Sequence, residues 1–239
     1  MSMIDKLKSD LKKLADTEKA KLFSRFFKTG KGEYGEGDIF LGIIVPKQRE
    51  VAKKYVDSEL SLVSQLLSSK IHEERLIALL ILTYKLKHKE IENKEKKKIF
   101  DFYLKNAKAG NINNWDLVDL SAPNIVGSFL LDKNRSILYK LAKSSDLWEK
   151  RISVLACFAF IREKDFKDAL KIAEILLEDK HDLIHKAVGW MLREIGKRNQ
   201  NKEEEFLRKH CKKMPRTMLR YAIERFDKKK RKAYLEGKI

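Results

Sequence analysis

A single pattern recurs along the chain: a basic residue near the start of a dense apolar stretch that has helical periodicity. Four segments show it: HEERLIALLILTYKLK, LWEKRISVLACFAFIREK, DLIHKAVGWMLREIGK and RTMLRYAIERF. Their basic residues are about 35 residues apart, or about twice that between the first two, where a helix near 115–131 supplies the missing unit. One helix pair cannot bury its apolar face alone, so such a repeat predicts stacked helix pairs that share a core, as in a HEAT-like solenoid.

The rest of the chain also has apolar residues at three- and four-residue spacing, which predicts helices nearly end to end. The predicted helices cover residues 3–16, 18–28, 46–56, 59–69, 72–88, 94–109, 115–131, 134–143, 147–162, 166–178, 181–197, 202–213 and 216–226. Only 3 Pro and 10 Gly occur, and no Pro/Gly/Ser-rich linker divides the sequence.

We therefore predict an all-α, HEAT-like helical-repeat solenoid that forms one domain over residues 1–239. N-terminal helices and a Gly-rich segment extend to about residue 45, the repeats cover about 46–226, and a basic C-terminal tail follows.

The charge balance favours a polyanionic partner. Lys and Arg number 53 against 35 Asp and Glu, a formal net charge of +18. Such a chain attracts DNA, RNA or an acidic membrane surface, although a Lys-rich surface without a specific role is the alternative. Arg75, Arg151, Lys186 and Arg220 recur at similar places in the four segments. On the inner helices of a solenoid they would give a concave, basic face that suits duplex DNA; otherwise each is a solvated residue near a helix start.

Cysteine usage and the N-terminus favour the cytoplasm. Cys157 and Cys211 are far apart and form neither a disulfide framework nor a CxxC pair. The N-terminus has no apolar signal core, and no segment approaches about 18 uncharged apolar residues, so we predict a cytoplasmic protein without a membrane span. His181 and His185 are one helical turn apart, but the sequence suggests no third ligand, and we predict no metal site.

A Gly-rich stretch over residues 28–46 interrupts the helical pattern. It lacks the GxxxxGK[ST] order of a phosphate loop, and no strand precedes it. Its backbone N–H groups, with Lys31 and Tyr34, could contact a DNA phosphate. A flexible connector between the N-terminal helices and the repeats is the alternative.

The segment NINNWDLVDLSAPNIVG contains the most informative residues. Asn113 or Asn114 can cap a helix that begins near Trp115, which places Trp115 and Asp119 on one face. Asp116 points elsewhere. A carboxylate repels phosphate, so its presence in a cationic groove is unexpected for simple DNA binding and suits a groove that holds a positive charge.

Two further tryptophans lie in the repeats. Trp190 follows Gly189, which permits close approach of a neighbouring helix. Trp148 precedes Arg151 and is more simply a packed residue, and the same interpretation is open for any single tryptophan.

Four motifs in order carry a family resemblance: FLGIIVPKQR, WDLVD followed by SAP, WEKR, and KAVGWMLRE. They resemble the signature segments of the AlkD-type DNA alkylation repair family, over about residues 20–225. The resemblance implies a HEAT-like solenoid that excises positively charged alkylpurines, such as 3-methyladenine and 7-methylguanine, from DNA. It implies Asp119 as the catalytic residue, Trp115 and Trp190 as aromatic contacts and Arg151 as a phosphate contact, without cofactor or metal.

We expect a monomeric glycosylase that binds double-stranded DNA. The further DNA-binding candidates are Lys186, Arg75, Arg193, Arg220, Tyr34 and Lys31. Two alternatives remain: a non-catalytic DNA-binding HEAT-like protein that recognises damaged or branched DNA, and a protein-binding HEAT scaffold with an acidic partner. Asp119 distinguishes the first of these from an enzyme, because a DNA-binding protein gains nothing from it.

Overall fold

The structure, a computed structural model, describes residues 2–88 and 90–239. Within those ranges the chain forms fourteen α-helices and no strand, with one isolated bridge between Ile39 and Ile71. The predicted all-α, helical-repeat fold is confirmed, and each of the thirteen predicted helices overlaps an observed one. None of the helices in the described ranges combines the length and the apolar character needed to cross a bilayer.

The chain divides into two compact units, Met1–Ser121 and Ala122–Ile239. The single domain expected from the sequence stays a prediction, and each unit is described by itself. The first unit contains α1 (Met3–Lys12), α2 (Thr17–Phe26), α3 (Val45–Lys54), α4 (Leu60–Leu67), α5 (His72–Lys85), α6 (Asn93–Lys108) and α7 (Trp115–Ala122), whose last residue begins the second unit.

Helix α5 is the centre of the first unit. Every residue from His72 to Thr83 is buried, because its apolar run faces α3 on one side and α4 on the other. A carboxylate at its start organises the preceding segment: Glu73, 1% exposed, accepts hydrogen bonds from the backbone N–H groups of Leu41, Gly42 and Ile43. Burying this carboxylate is tolerated because three backbone donors replace its water.

The second unit contains the remaining helices: α8 (Ser136–Ala142), α9 (Leu147–Arg162), α10 (Lys167–Ile175), α11 (Asp182–Gly196), α12 (Gln200–His210), α13 (Arg216–Ala222) and α14 (Lys228–Leu235). Its core centres on α9, which packs against α8, α10 and α11 and buries Cys157, as predicted. Helix α11 packs closely on α13 at Gly189, where a Cβ atom would meet the Met218 carbonyl oxygen and lie 2.5 Å from the Tyr221 Cβ.

Two elements differ from the prediction. The helix expected over 115–131 changes to a π-helical turn at Pro123–Gly127, because proline has no N–H to donate to the carbonyl four residues earlier. The basic tail expected after residue 226 contains α14, whose N-cap residue Asp227 accepts from the Lys230 N–H. One carboxylate cap therefore starts a helix in a strongly basic stretch.

Candidate functional site

Trp115 and Asp119 lie on α7, one helical turn apart. The helix begins at Trp115, whose N–H donates to the Asn114 side chain at 2.8 Å, in agreement with the expected start. Both side chains are partly exposed, whereas Asp116 is buried. Helix periodicity thus gives two acids of one segment different environments, and Asp119 is the one accessible to a ligand.

The Trp115 indole belongs to an aromatic cluster that the sequence analysis missed. Its ring stacks on Phe27, with centroids 5.0 Å apart and planes 10° apart, and meets Phe26 edge to face at 5.8 Å. Phe26 is 64% exposed. The consecutive aromatics at the end of α2 were the available signal. These contacts hold the indole in one orientation, which prepares it for stacking.

Asp119 lies close to a buried polar pair in the same unit. The Tyr103 hydroxyl, fully buried, is 2.9 Å from the Ser121 hydroxyl, which donates to the Leu117 carbonyl. Burial raises the pKa of Tyr103, the Ser121 hydrogen bond lowers it, and the negative charge of Asp119 raises it further. Tyr103 therefore stays neutral next to Asp119 and supports α7 without adding a competing charge.

A buried ionic cluster connects α7 to α5. His72 contacts Asp116 through Nε2 at 2.8 Å and Asp38 through Nδ1 at 3.1 Å. Burial alone lowers the pKa of His72, but the charge and hydrogen bond of Asp116 and the bond to Asp38 outweigh it and raise the pKa to about 9. For Asp38 the effects are reversed. Burial raises its pKa, but hydrogen bonds from His72 and Arg75 lower it by more, so that the pKa of Asp38 lies below its usual range. An imidazolium between two carboxylates fixes the start of α7.

Arg75 belongs to this cluster and not to a DNA-facing surface. It is 5% exposed, and its guanidinium donates to Asp38 at 2.7 Å. This burial disagrees with the expectation that Arg75 contacts DNA. The reason is its place on α5, which is buried on all sides through its first three turns. The Arg75 guanidinium therefore pairs with the buried Asp38 carboxylate.

The Gly-rich stretch is tied down by carboxylates. Glu33 accepts from the Gly30 N–H at 2.9 Å, and Glu36 accepts from the Gly32 N–H at 2.8 Å. These amides are already bonded, which weighs against a phosphate cradle and favours the connector. Lys31 is exposed and Tyr34 is partly buried, so these two side chains remain candidates for DNA contact.

In the second unit, Arg151 and Trp190 occupy neighbouring helices. Arg151, on α9, is 4% exposed and donates to the Leu183 carbonyl at 2.5 Å. Trp190, on α11, is partly exposed and lies 6.1 Å from Phe158 between ring centroids. Trp148 is buried, as predicted for a packed residue.

The other basic candidates of the second unit are more accessible. Lys186 pairs with Asp182 at 2.7 Å, Arg193 pairs with Glu224, and Arg220 is exposed on α13. Since Arg75 and Arg151 are buried whereas Arg220 is exposed, the recurring basic residues do not share one environment.

His181 and His185 have capping roles. The His181 side chain accepts from the Leu183 N–H at the start of α11, and His185 Nε2 bonds the Asp179 carbonyl at 2.5 Å. In the described part of the chain, no group of three His, Cys, Asp or Glu side chains is arranged to hold a metal ion.

Together these features define a class: a basic, all-α helical-repeat protein in which an oriented tryptophan and an accessible aspartate share one helix. The chain belongs to the DNA alkylation repair enzyme family, whose model matches residues 7–226, and the resemblance drawn from the motifs is confirmed. Membership supports a role in the repair of alkylated DNA.

A solved structure from Enterococcus faecalis, described as a predicted DNA alkylation repair enzyme, has a similar fold. Its TM-score is 0.67 at 16% sequence identity, over 90% of this chain and 97% of that one. At this identity the likeness concerns the fold alone. No curated protein matches the sequence significantly.

Proposed function

We propose that the protein is a DNA glycosylase that hydrolyses the N-glycosidic bond of positively charged alkylpurines, such as 3-methyladenine and 7-methylguanine, in double-stranded DNA. The observation that carries the proposal is the pairing of Trp115 with an accessible Asp119 on α7, in a member of the DNA alkylation repair enzyme family. We expect a cytoplasmic monomer that needs no cofactor.

The proposed chemistry uses the charge of the lesion. Alkylation makes the purine cationic and a good leaving group, and cleavage of the bond to the sugar builds positive charge on the sugar ring. The Asp119 carboxylate stabilises that oxocarbenium-like state and orients the attacking water. A carboxylate on a rigid helix, beside a Tyr103 that stays neutral, keeps its position during the reaction.

The indoles of Trp115 and Trp190 recognise the cationic nucleotide. An electron-rich ring attracts a nearby cation by about 0.5–2 kcal/mol per contact. The stack of Trp115 on Phe27 presents one indole in a fixed orientation, which lowers the entropy lost on binding.

Cationic side chains hold the DNA backbone. We propose Arg151 as a phosphate contact; because it is 4% exposed and donates to the Leu183 carbonyl, this contact requires its guanidinium to turn outward from α9 when DNA binds. Lys186, Arg193 and Arg220 in the second unit, and Lys31 and Tyr34 in the first, supply the remaining proposed contacts.

The test is base release by Asp119→Asn. The substitution keeps the size of the side chain and removes its charge. We expect duplex affinity to be retained and the single-turnover rate of 7-methylguanine release to fall by about 100- to 1,000-fold. Asp101→Asn is the matched control, because Asp101 is an exposed acid on α6 and should leave the rate unchanged.

Two outcomes contradict the proposal. Release by Asp119→Asn at the wild-type rate would exclude Asp119 from catalysis. Tight duplex binding by the wild-type protein without release of either base would instead favour a non-catalytic DNA-binding protein, the role that the +18 net charge alone supports.

A further inference from the structure

Helix α14 carries positive charge that the proposed function does not use. Five of its eight residues, Lys228 to Lys232 in sequence, are basic, and none of the eight is acidic. The helix also follows the range that matches the DNA alkylation repair enzyme family, which ends at residue 226. Its charge is therefore an addition to the features that this chain shares with the family.

One side of α14 is docked on the second unit. Tyr234 is 3% exposed, and its ring meets Phe226 edge to face, with centroids 5.7 Å apart. On the same side, Lys230 pairs with Glu204 of α12. The basic segment that was expected to be a tail is thus held in one orientation, so its outward side chains start from fixed positions when a partner binds.

The other four cations of α14 lie opposite the docked side. With 3.6 residues per turn, they fall within about 160° of the helix circumference. We call this group the α14 basic face: Lys228, Lys229, Arg231 and Lys232. In the described part of the chain, the side chains of Lys228, Lys229 and Arg231 form no hydrogen bond or ion pair, whereas Lys232 has an acidic neighbour at 3.6 Å. An anion can meet these three cations without first displacing an acid.

Helix α14 also lies beside a residue that is proposed to contact DNA. The guanidinium of Arg216, on α13, donates to the Leu235 carbonyl at the end of α14 at 2.5 Å. Arg220 follows four residues later, on the same face of α13, and is exposed. Helix α14 therefore lies against the side of α13 that carries Arg220.

The composition of α14 favours a polyphosphate over a lipid surface. A helix that binds a membrane inserts an apolar face, but Tyr234 is buried in the protein and the exposed residues of α14 are all lysines. At 1.5 Å per residue the helix is about 12 Å long. Duplex DNA carries one negative charge per about 1.7 Å of its axis, so about seven phosphates lie along this length, enough for each cation to find a partner.

We propose that the α14 basic face is a second DNA-binding surface, in which Lys228, Lys229 and Arg231 contact backbone phosphates of duplex DNA. Such contacts carry no sequence information, so the surface binds damaged and undamaged duplex alike. Binding of this kind lets a protein slide and hop along DNA, which suits a search for rare lesions. The inference rests on membership of a DNA repair family and does not require catalysis by Asp119.

The test is the salt dependence of binding to an undamaged duplex, measured by fluorescence anisotropy on the full chain. The wild type is compared with a variant that combines Lys228→Ala, Lys229→Ala and Arg231→Ala. Each phosphate contact adds about 0.9 to the slope of log affinity against log salt, so the variant should lose about 2–3 units of slope. Between about 50 and 200 mM salt, the affinity of the wild type should therefore fall about 15- to 60-fold more than that of the variant.

The matched control removes the same charge elsewhere. It replaces three exposed lysines of α6 by alanine, Lys94, Lys105 and Lys108, and should keep the wild-type slope. Thermal unfolding verifies that both variants are folded. An equal loss of slope in both would show an effect of net charge alone and overturn the proposal, and so would the wild-type slope in the α14 variant.

Two further measurements separate the alternatives. Binding to phosphatidylserine vesicles that is lost in the α14 variant, while its DNA slope stays that of the wild type, would assign the α14 basic face to a lipid surface and reject the proposal. Asp119→Asn should keep the wild-type slope, because it changes no cation. If no base is released but the α14 variant still loses its slope, the proposed glycosylase activity fails and the second DNA-binding surface stands.

Discussion

The ion cluster around His72 predicts an unusual dependence of stability on pH. The pKa of His72 is raised from 6.5 to about 9 in the folded protein, because Asp116 and Asp38 outweigh its burial. Because the folded protein binds this proton more tightly than the unfolded chain, protonated His72 stabilises the fold. The stabilisation has its full value below pH 6.5 and is lost as the pH rises through about 9. At 1.36 kcal/mol per unit, the stabilisation amounts to roughly 3 kcal/mol, without a discount for solvent because His72 is 2% exposed.

The assay is urea unfolding between pH 6 and 9.5, on the wild-type protein and on His72→Gln. We expect the difference in free energy of unfolding between the two proteins to shrink by roughly 3 kcal/mol over this range. His88→Gln, which changes an exposed histidine just beyond α5, is the control and should follow the wild type. Parallel curves for wild type and His72→Gln would refute the reasoning, because they would show that His72 does not bind an extra proton in the folded state.

Three further predictions concern the second unit. Gly189→Ala should lower the free energy of unfolding by about 1–3 kcal/mol, measured by urea titration, because its Cβ would collide with the Met218 carbonyl and Tyr221. The pKa of Glu203 is raised to about 8 by burial and by Glu204, so its contribution to stability falls as the pH rises from 4.5 to 8. Over that range the free energy of unfolding of Glu203→Gln should therefore fall by roughly 2–4 kcal/mol less than that of the wild type. Arg151→Ala should reduce the salt slope of DNA binding by about one unit, and an unchanged slope would exclude a phosphate contact.

The helical architecture could be predicted from the sequence because apolar periodicity is a local property. The long apolar stretches became α5, α9 and α11, and the Asn114–Trp115 boundary followed from capping. Pro123 was visible in the sequence, but its effect depends on whether the surrounding helix tolerates a wider turn, which local pattern does not reveal.

Burial of charge was the part that the sequence could not predict. Arg75 and Arg220 occupy similar places in their segments, yet one is enclosed beside Asp38 and the other is exposed. The difference arises from Asp38, which is 37 residues away from Arg75 and which no local spacing encodes. The aromatic cluster around Trp115 was missed for the same reason, since Phe27 lies far from it in sequence.

The three amides gathered by Glu73 have a consequence for how this chain can vary. They fasten residues 41–43 to the beginning of α5. An insertion or deletion between Gly30 and Gly37 should therefore change the chain only before residues 41–43, so that the position of α3 is unaffected. Homologous chains could change the length of the exposed turn at residues 30–33 while every later helix keeps its place in the first unit.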